Sequence, residues 1–130
     1  MAFNFSEFVM ENYRVKTQKS TLREIYNYNE KTGHGVSNSI TRSQGVYALY
    51  LFGRLMKIGK ATDGIFKRVS QYYRGNLNDG GIKEITSINR DRITIEFFLM
   101  NSADDIWAAE RYISSQAYYA GENMKWEQKK

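Results

Sequence analysis

Residues 45–60 contain a tyrosine and two lysines at spacings that suit chemistry on a phosphate. Tyr47 and Lys57 lie ten positions apart, in two apolar runs separated by residues 52–54. An antiparallel hairpin with a three-residue turn would place both side chains on one face as diagonal neighbours, with Lys60 just beyond. Positive charge beside a phenol lowers its pKa because it favours the phenolate. The spacing alone is explained equally well by a packed tyrosine and solvated lysines.

Two further residues have the chemistry to bind a phosphate and a metal ion. Arg68 lies one position off an apolar helical stripe, and a guanidinium at the edge of a core can bind phosphate through two hydrogen bonds. Glu110 adjoins a second apolar stripe, where a carboxylate is costly unless it is paired or binds a metal. One carboxylate with water and substrate phosphate suits Mg²⁺. From spacing alone, a salt bridge from Glu110 to Arg111, Lys57 or Arg68 is favoured over a metal site.

The elements that must position these residues follow from hydrophobic periodicity. Residues 45–52, 55–59 and 93–100 are predicted strands. A helix capped by Asp63 follows the second strand, and a helix capped by Ser102 follows the third. The pattern predicts an α+β fold, an α/β two-layer arrangement with a small three-stranded, mostly antiparallel sheet flanked by helices.

The first thirty residues are predicted to form an N-terminal helical extension. Ser6 is placed to cap a first helix, and Thr21 with Glu24 forms a capping box for a second helix over 22–30. Residues 31–44 are rich in Gly, Ser, Thr and Asn and are predicted to form a loop, with His34 on the surface.

Composition excludes several classes of chemistry. The chain has 130 residues, about one domain, with no cysteine and one histidine, which excludes disulfide scaffolds, thiol nucleophiles and multi-histidine metal sites. No apolar run approaches the ~18 residues of a membrane span, and the first residues lack a signal-peptide pattern. We therefore expect a cytoplasmic, intracellular protein.

Charge is concentrated in one segment. The net charge is +5, and residues 54–74 contain six basic residues and one acid, which also sum to +5. A local excess of this kind suits a polyanion such as nucleic acid. A solvated basic face explains the charge equally well.

Four segments, taken in order, resemble the GIY-YIG nuclease superfamily, in particular small phage and bacterial members with KIG in place of YIG. They are Gly45-Val46-Tyr47, Lys57-Ile58-Gly59-Lys60, residues 67–72 and Glu110. The resemblance divides the chain into an N-terminal extension over 1–43, a nuclease domain over 44–122 and a basic tail over 123–130. It implies a Mg²⁺- or Mn²⁺-dependent endonuclease that hydrolyses DNA phosphodiester bonds with one metal ion.

The resemblance also implies roles for individual residues. Tyr47 would act as, or activate, the base for the attacking water, and Lys60 would be an active-site cation. Arg68 would bind the scissile phosphate, and Glu110 would be the sole protein ligand of the metal. Gly45 and Gly59 are structural motif positions. The remaining basic residues assigned to nucleic-acid binding are Arg54, Lys67 and Arg74. We expect the catalytic side chains to converge on one face of the sheet, in one basic cleft. A structure that places Glu110 on the opposite side of the sheet from Tyr47 would argue against a nuclease.

Three departures from the superfamily pattern bear on these roles. Lys57 stands where the second motif tyrosine is expected, and it is counted here as a catalytic residue that lowers the pKa of Tyr47. The spacing leaves a choice between Lys67 and Arg68, and Arg68 is preferred. Many members have histidine where this chain has Tyr72, which is assigned to core packing.

Two other classes of function stay open on the sequence. One is a DNA-binding module that has the fold without the activity. The other is an interaction protein that docks through its aromatic N-terminal segment, although packing of those aromatics on their own domain is favoured. DNA is the expected partner, and specificity in so small a nuclease would call for a homodimer or a partner protein. The compact size suits a phage-encoded protein in a bacterial host.

Overall fold

The fold is built on a four-stranded antiparallel sheet in the strand order β1-β4-β2-β3. The computed structural model describes residues 3–28, 38–75 and 81–127. The strands are β1 (Gln18–Thr21), β2 (Gly45–Leu51), β3 (Arg54–Ala61) and β4 (Ile93–Leu99). The α-helices are α1 (Phe5–Tyr13), α2 (Leu22–Tyr26), α3 (Asn38–Thr41), α4 (Ile65–Arg74) and α5 (Ala103–Tyr119). The mixed α+β class is confirmed.

The predicted count of three strands is wrong, because β1 adds a fourth. It pairs with β4 from Gln18, opposite Phe97, to Thr21, opposite Thr94. Its sequence is four polar residues without alternation, so no local pattern marks it as a strand. The segment predicted as a helical extension therefore contributes a strand to the central sheet.

Helices cover both faces of the sheet, which corrects the predicted two layers to three. Residues of β2 alternate between two cores: Tyr47 and Leu49 face α2 and α4, whereas Val46 and Ala48 face α1 and α5. Burial on both sides explains why β2 is apolar along most of its length.

The β2–β3 hairpin differs from its prediction in detail. Its turn has two residues, Phe52 and Gly53, both with positive φ, as in the tight turns that favour hairpins. A bulge leaves Met56 without a cross-strand partner, so Lys57 lies opposite Leu49. The two turn residues and the bulged residue together place Tyr47 and Lys57 on the same face, as a three-residue turn would.

Side-chain caps mark the starts of α2 and α5 as predicted. Thr21 accepts a hydrogen bond from the Glu24 backbone N–H at 3.0 Å, and Ser102 accepts one from the Asp105 N–H at 3.4 Å. The predicted caps of the other two helices are wrong. Asn4 caps α1 in place of Ser6, and Gly64 precedes α4 in place of Asp63.

The predicted loop over 31–44 contains the short helix α3 at 38–41, which corrects that prediction in part. His34 lies outside the described residues. Within the ranges that the structure describes, no helix is long and apolar enough to cross a membrane.

The chain after α5 returns along the free edge of β3. A left-handed Gly121 ends the helix, with its N–H donating to the Tyr118 carbonyl. Trp126 is then buried, and its backbone N–H donates to the Met56 carbonyl at 3.0 Å. This return covers part of the otherwise unpaired strand edge.

Candidate active site

A buried pair of phenols lies at the centre of the candidate site. Tyr47 on β2 and Tyr72 on α4 are each 2% exposed, and their hydroxyls are hydrogen-bonded to each other. Gly59 lies opposite Tyr47 across the hairpin. A Cβ at position 59 would lie 2.5 Å from the Tyr47 hydroxyl oxygen, so only glycine leaves room for this ring.

Gly45, at the start of β2, is also a position where a larger residue would not fit. A Cβ there would lie 2.2 Å from the backbone carbonyl oxygen of Phe98 on the neighbouring strand. Both motif glycines are therefore positions of close approach.

Gly59→Ala is expected to destabilise the fold by about 1–3 kcal/mol, because the added methyl overpacks the Tyr47 ring. Urea unfolding measures this loss. Gly53→Ala is the comparison, since nothing lies within 4 Å of a Cβ there and its cost comes from positive φ alone. A Gly59→Ala variant as stable as the parent would contradict the close contact.

Both phenols are held in their neutral form. Burial raises the pKa of Tyr47 well above the ordinary value of 10.0, and the Tyr72 phenol raises it further, while Arg68 lowers it. Burial also raises the pKa of Tyr72, against the lowering effects of the Tyr47 hydrogen bond and Arg68. The expectation that lysines lower the pKa of Tyr47 is therefore wrong in its direction, and a ready phenolate base is disfavoured.

The two lysines have partners other than Tyr47. Lys57 Nζ lies 3.8 Å from Glu127 Oε2, and Glu127 Oε1 accepts a hydrogen bond from the Ile58 N–H at 2.9 Å. Lys60 Nζ lies 3.7 Å from the centroid of the Trp107 ring on α5. Each ammonium group is thus held by a residue that comes from α5 or from the chain beyond it.

Arg68 and Lys67 differ in burial and in their partners. Arg68 is partly buried, donates from Nη1 to Gln71 Oε1 at 3.2 Å, and its charge acts on the Tyr72 phenol. Lys67 is exposed, with Nζ 3.5 Å from Asp63 Oδ2. Arg68, unlike Lys67, is therefore a partly buried cation that lowers the pKa of both phenols.

Glu110 does not share a face with Tyr47, so the expected convergence on one face is wrong. Helix α5 packs on one side of the sheet and the ring of Tyr47 lies on the other. Glu110 lines a cavity of about 510 Å³ together with Lys57, Lys60 and Glu127. Its charge still acts on the Tyr72 phenol, whose pKa it raises. The predicted site residues are therefore divided between two sides of the sheet, with Tyr47 and Arg68 on the α4 side and Glu110 in the cavity on the α5 side.

The donor set fits a cation that keeps most of its water. Among the described residues, no three acidic, histidine or cysteine side chains group together to enclose a metal. Glu110 is a partly exposed carboxylate at an open cavity. A hydrated Mg²⁺ takes one or two carboxylates and completes its shell with water and substrate phosphate. Glu110 could provide that one carboxylate. An ion enclosed by protein would need further ligands, and the described residues do not group such ligands together.

The three predicted nucleic-acid-binding residues do not form one group. Lys67 and Arg74 line a cavity of about 710 Å³ with Arg42. Arg54 begins β3, six residues and roughly 20 Å of extended strand before Lys60. The basic surface near the site is thus formed by α4 and Arg42, without Arg54.

Sequence reasoning missed two residues of this site. Tyr72 is buried as the helical stripe predicts, but its hydroxyl also pairs with Tyr47. Glu127 lies in a polar segment that carries no signal beyond an adjacent tryptophan, and it becomes the partner of Lys57 through the return of the chain along β3.

Alkaline pH is expected to unfold the protein through its phenols. Burial raises the pKa of Tyr47 and Tyr72, so the folded state keeps them neutral where the unfolded chain ionises them. Their contribution to stability is therefore complete below about pH 10 and is lost as pH rises beyond it. Unfolding in urea at a series of alkaline pH values measures the slope. A Tyr47→Phe, Tyr72→Phe variant should lose less stability with pH, and Tyr118→Phe, whose ring is 71% exposed, is the control.

No family model matches this chain, and no curated protein or solved structure shows significant similarity to it.

Proposed function

We propose that this protein is an endonuclease of the GIY-YIG type that uses Mg²⁺ or Mn²⁺ to hydrolyse DNA phosphodiester bonds. The observation that carries the proposal is the buried, hydrogen-bonded pair of Tyr47 and Tyr72, beside a partly buried Arg68 that lowers the pKa of both phenols. A cation for phosphate, a carboxylate for a metal and hydroxyls for water are the groups that phosphodiester hydrolysis requires.

In the proposed mechanism Arg68 binds the scissile phosphate and offsets the charge that develops on its oxygens. The attacking water would form the new P–O bond as the bond to the leaving oxygen breaks, and its proton would pass to a phosphate oxygen, because neither buried phenol is a preformed base. Lys60, held against Trp107, adds positive charge on the α5 side of the cavity. Glu110 would hold the metal ion, which when bound supplies Lewis-acid stabilisation of the phosphoryl and leaving oxygens.

Cleavage of supercoiled plasmid tests the proposal directly. Nicked or linear DNA should form with Mg²⁺ or Mn²⁺ and should not form with a chelator. Substrates with unpaired segments belong in the same assay. Intact DNA under every divalent metal and substrate would exclude the nuclease.

A DNA-binding module without activity is the second candidate, and two observations favour it. Glu110 lies on the opposite side of the sheet from Tyr47, which separates the proposed metal ligand from the phenols. Lys57 occupies the position of the second motif tyrosine and is paired with Glu127, so it offers no hydroxyl to the site. In that case the protein should bind DNA and leave it uncut in the same assay.

Under either candidate, DNA affinity is expected to fall steeply with salt. Each phosphate neutralised by a basic side chain contributes a slope of about −0.9 in log K against log salt. Reversing Lys67 and Arg74 to glutamate should weaken binding on all sequences alike. Lys19 on β1 and Lys83 in a turn before β4 are exposed, and their reversal is the matched control for net charge. Equal losses in the two double variants would contradict a localised basic surface.

A further inference from the structure

Helix α5 exposes aromatic rings beside the candidate site that the proposed chemistry does not use. Trp107 is 48% exposed, Tyr118 is 71% exposed and Tyr119 is 79% exposed. All three line the cavity that contains Glu110. The core-facing side of the helix is formed by other residues, namely Ile106, Ala109, Ile113 and Ala117. The exposed rings therefore lie on the solvent side of α5, where they contribute little to the core.

The rings are spaced along one side of the helix. Trp107 and Tyr118 are eleven residues apart, which is close to three whole turns and about 16 Å along the axis. Ser114 and Ser115 line the cavity between them and are small. The result is a shallow trough with an aromatic ring near each end. Its length matches roughly four or five stacked nucleotides at ~3.4 Å each.

Cations accompany the rings. Lys60 Nζ lies 3.7 Å from the Trp107 centroid and holds the indole at the cavity while nearly half of it stays exposed. Lys57 and Arg111 line the same cavity. Aromatic faces for bases and cations for phosphates are the combination by which proteins bind single-stranded nucleic acid.

We propose that this side of α5 binds an unpaired segment of DNA, with bases stacked on Trp107 and Tyr118 next to the scissile phosphate. The inference rests on the proposed nuclease function and narrows its substrate to DNA with a single-stranded region, such as a flap or an overhang. Bases inside a duplex are covered by their neighbours and offer no free face to the rings. Only an unpaired strand satisfies both the rings and the cations.

A protein partner fits this surface less well. The cavity contains three cations and two carboxylates, Lys57, Lys60, Arg111, Glu110 and Glu127. Charged residues are depleted from the cores of protein–protein interfaces, whereas positive charge is enriched where protein meets nucleic acid.

Tryptophan fluorescence provides a direct test, because the chain has two tryptophans and only Trp107 is exposed. Trp126→Phe leaves Trp107 as the sole reporter. Titration with oligo(dT) in the absence of metal should quench its emission, and a blunt duplex at the same nucleotide concentration should quench it much less. Binding of oligo(dT), measured independently by anisotropy, without any change in Trp107 emission would overturn the proposal.

Variants of the rings test their contribution to affinity. Trp107→Ala and Tyr118→Ala should each weaken oligo(dT) binding by about tenfold or more, and blunt-duplex binding should stay within about twofold. Trp107→Phe should retain most of the affinity. Tyr112 is the matched control on the same helix, because it is 46% exposed but its ring contacts Phe8. Equal losses for Tyr112→Ala, or for the duplex, would overturn the proposal.

The same experiments separate this inference from the nuclease function. Trp107-dependent binding of oligo(dT) without cleavage by any metal would support stacking and exclude the nuclease. Cleavage that requires Glu110, together with unchanged oligo(dT) affinity in Trp107→Ala, would support the nuclease and overturn stacking. A dimer in sedimentation that Trp107→Ala dissociates would assign the surface to a second copy of the chain and also overturn stacking.

Discussion

Glu110→Gln is expected to slow DNA cleavage by about 10²–10³-fold, the usual effect of removing one preorganised electrostatic group. The substitution preserves shape and removes the charge that would hold the metal ion. DNA binding should persist or strengthen, because a negative charge leaves the cavity that Lys57 and Lys60 share with Glu110. Single-turnover cleavage and binding without metal measure the two effects separately.

Glu127→Gln is the matched control for this experiment. Glu127 lies in the same cavity and its pair with Lys57 would be weakened, but an amide oxygen can still accept the Ile58 N–H. We expect it to cost less than one tenth of the effect of Glu110→Gln. Equal losses in both variants would show that general charge in the cavity, and not a metal ligand, governs the rate.

The hairpin shows how far periodicity determines the site. Alternation predicts that Tyr47 and Lys57 share a face, and pairing of Lys57 opposite Leu49 places them so. The sequence does not reveal that the parity comes from a two-residue turn and a bulge at Met56. Two side chains on one face need not interact electrostatically. The Lys57 ammonium lies at the sheet edge and pairs with Glu127 rather than with Tyr47.

The apolar stripes on the helices predict which side chains are buried. They do not predict which groups the buried hydroxyls bond to. The stripe on α4 predicts that Tyr72 is buried, which is confirmed at 2% exposure. Its hydroxyl meets Tyr47, which is 25 residues away in sequence, and no local pattern encodes that contact. A buried hydroxyl requires a partner, so the need for one could have been predicted but not its identity.

Features that depend on distant pairing were missed altogether. β1 is polar and short, and it becomes a strand through its pairing with β4, more than seventy residues later in the chain. The position of Glu110 was missed for a similar reason. The apolar stripe predicts which side of α5 packs on the sheet, but it does not predict on which face of the sheet the helix lies. Sequence reasoning therefore predicted one cluster and missed that its residues are divided between two sides of the sheet.

Arg68→Ala is expected to reduce cleavage by about 10²–10³-fold while Lys67→Ala costs less than about tenfold. The two residues are adjacent in α4, but their surroundings differ. Arg68 is partly buried and lowers the pKa of both phenols. Lys67 is exposed and paired with Asp63. Arg68→Lys should recover only part of the rate, since an ammonium group cannot bind phosphate through two parallel hydrogen bonds.

A second readout shows whether Arg68 acts where the geometry places it. Its charge lowers the pKa of Tyr47 and of Tyr72, so Arg68→Ala should shift phenol ionisation in the folded protein to still higher pH. Lys67→Ala should leave that titration unchanged, as followed by phenolate absorbance. Equal rate losses in the two variants, with no difference in phenol titration, would show that α4 contributes general positive charge and that the Tyr47–Tyr72 pair is not coupled to a phosphate site.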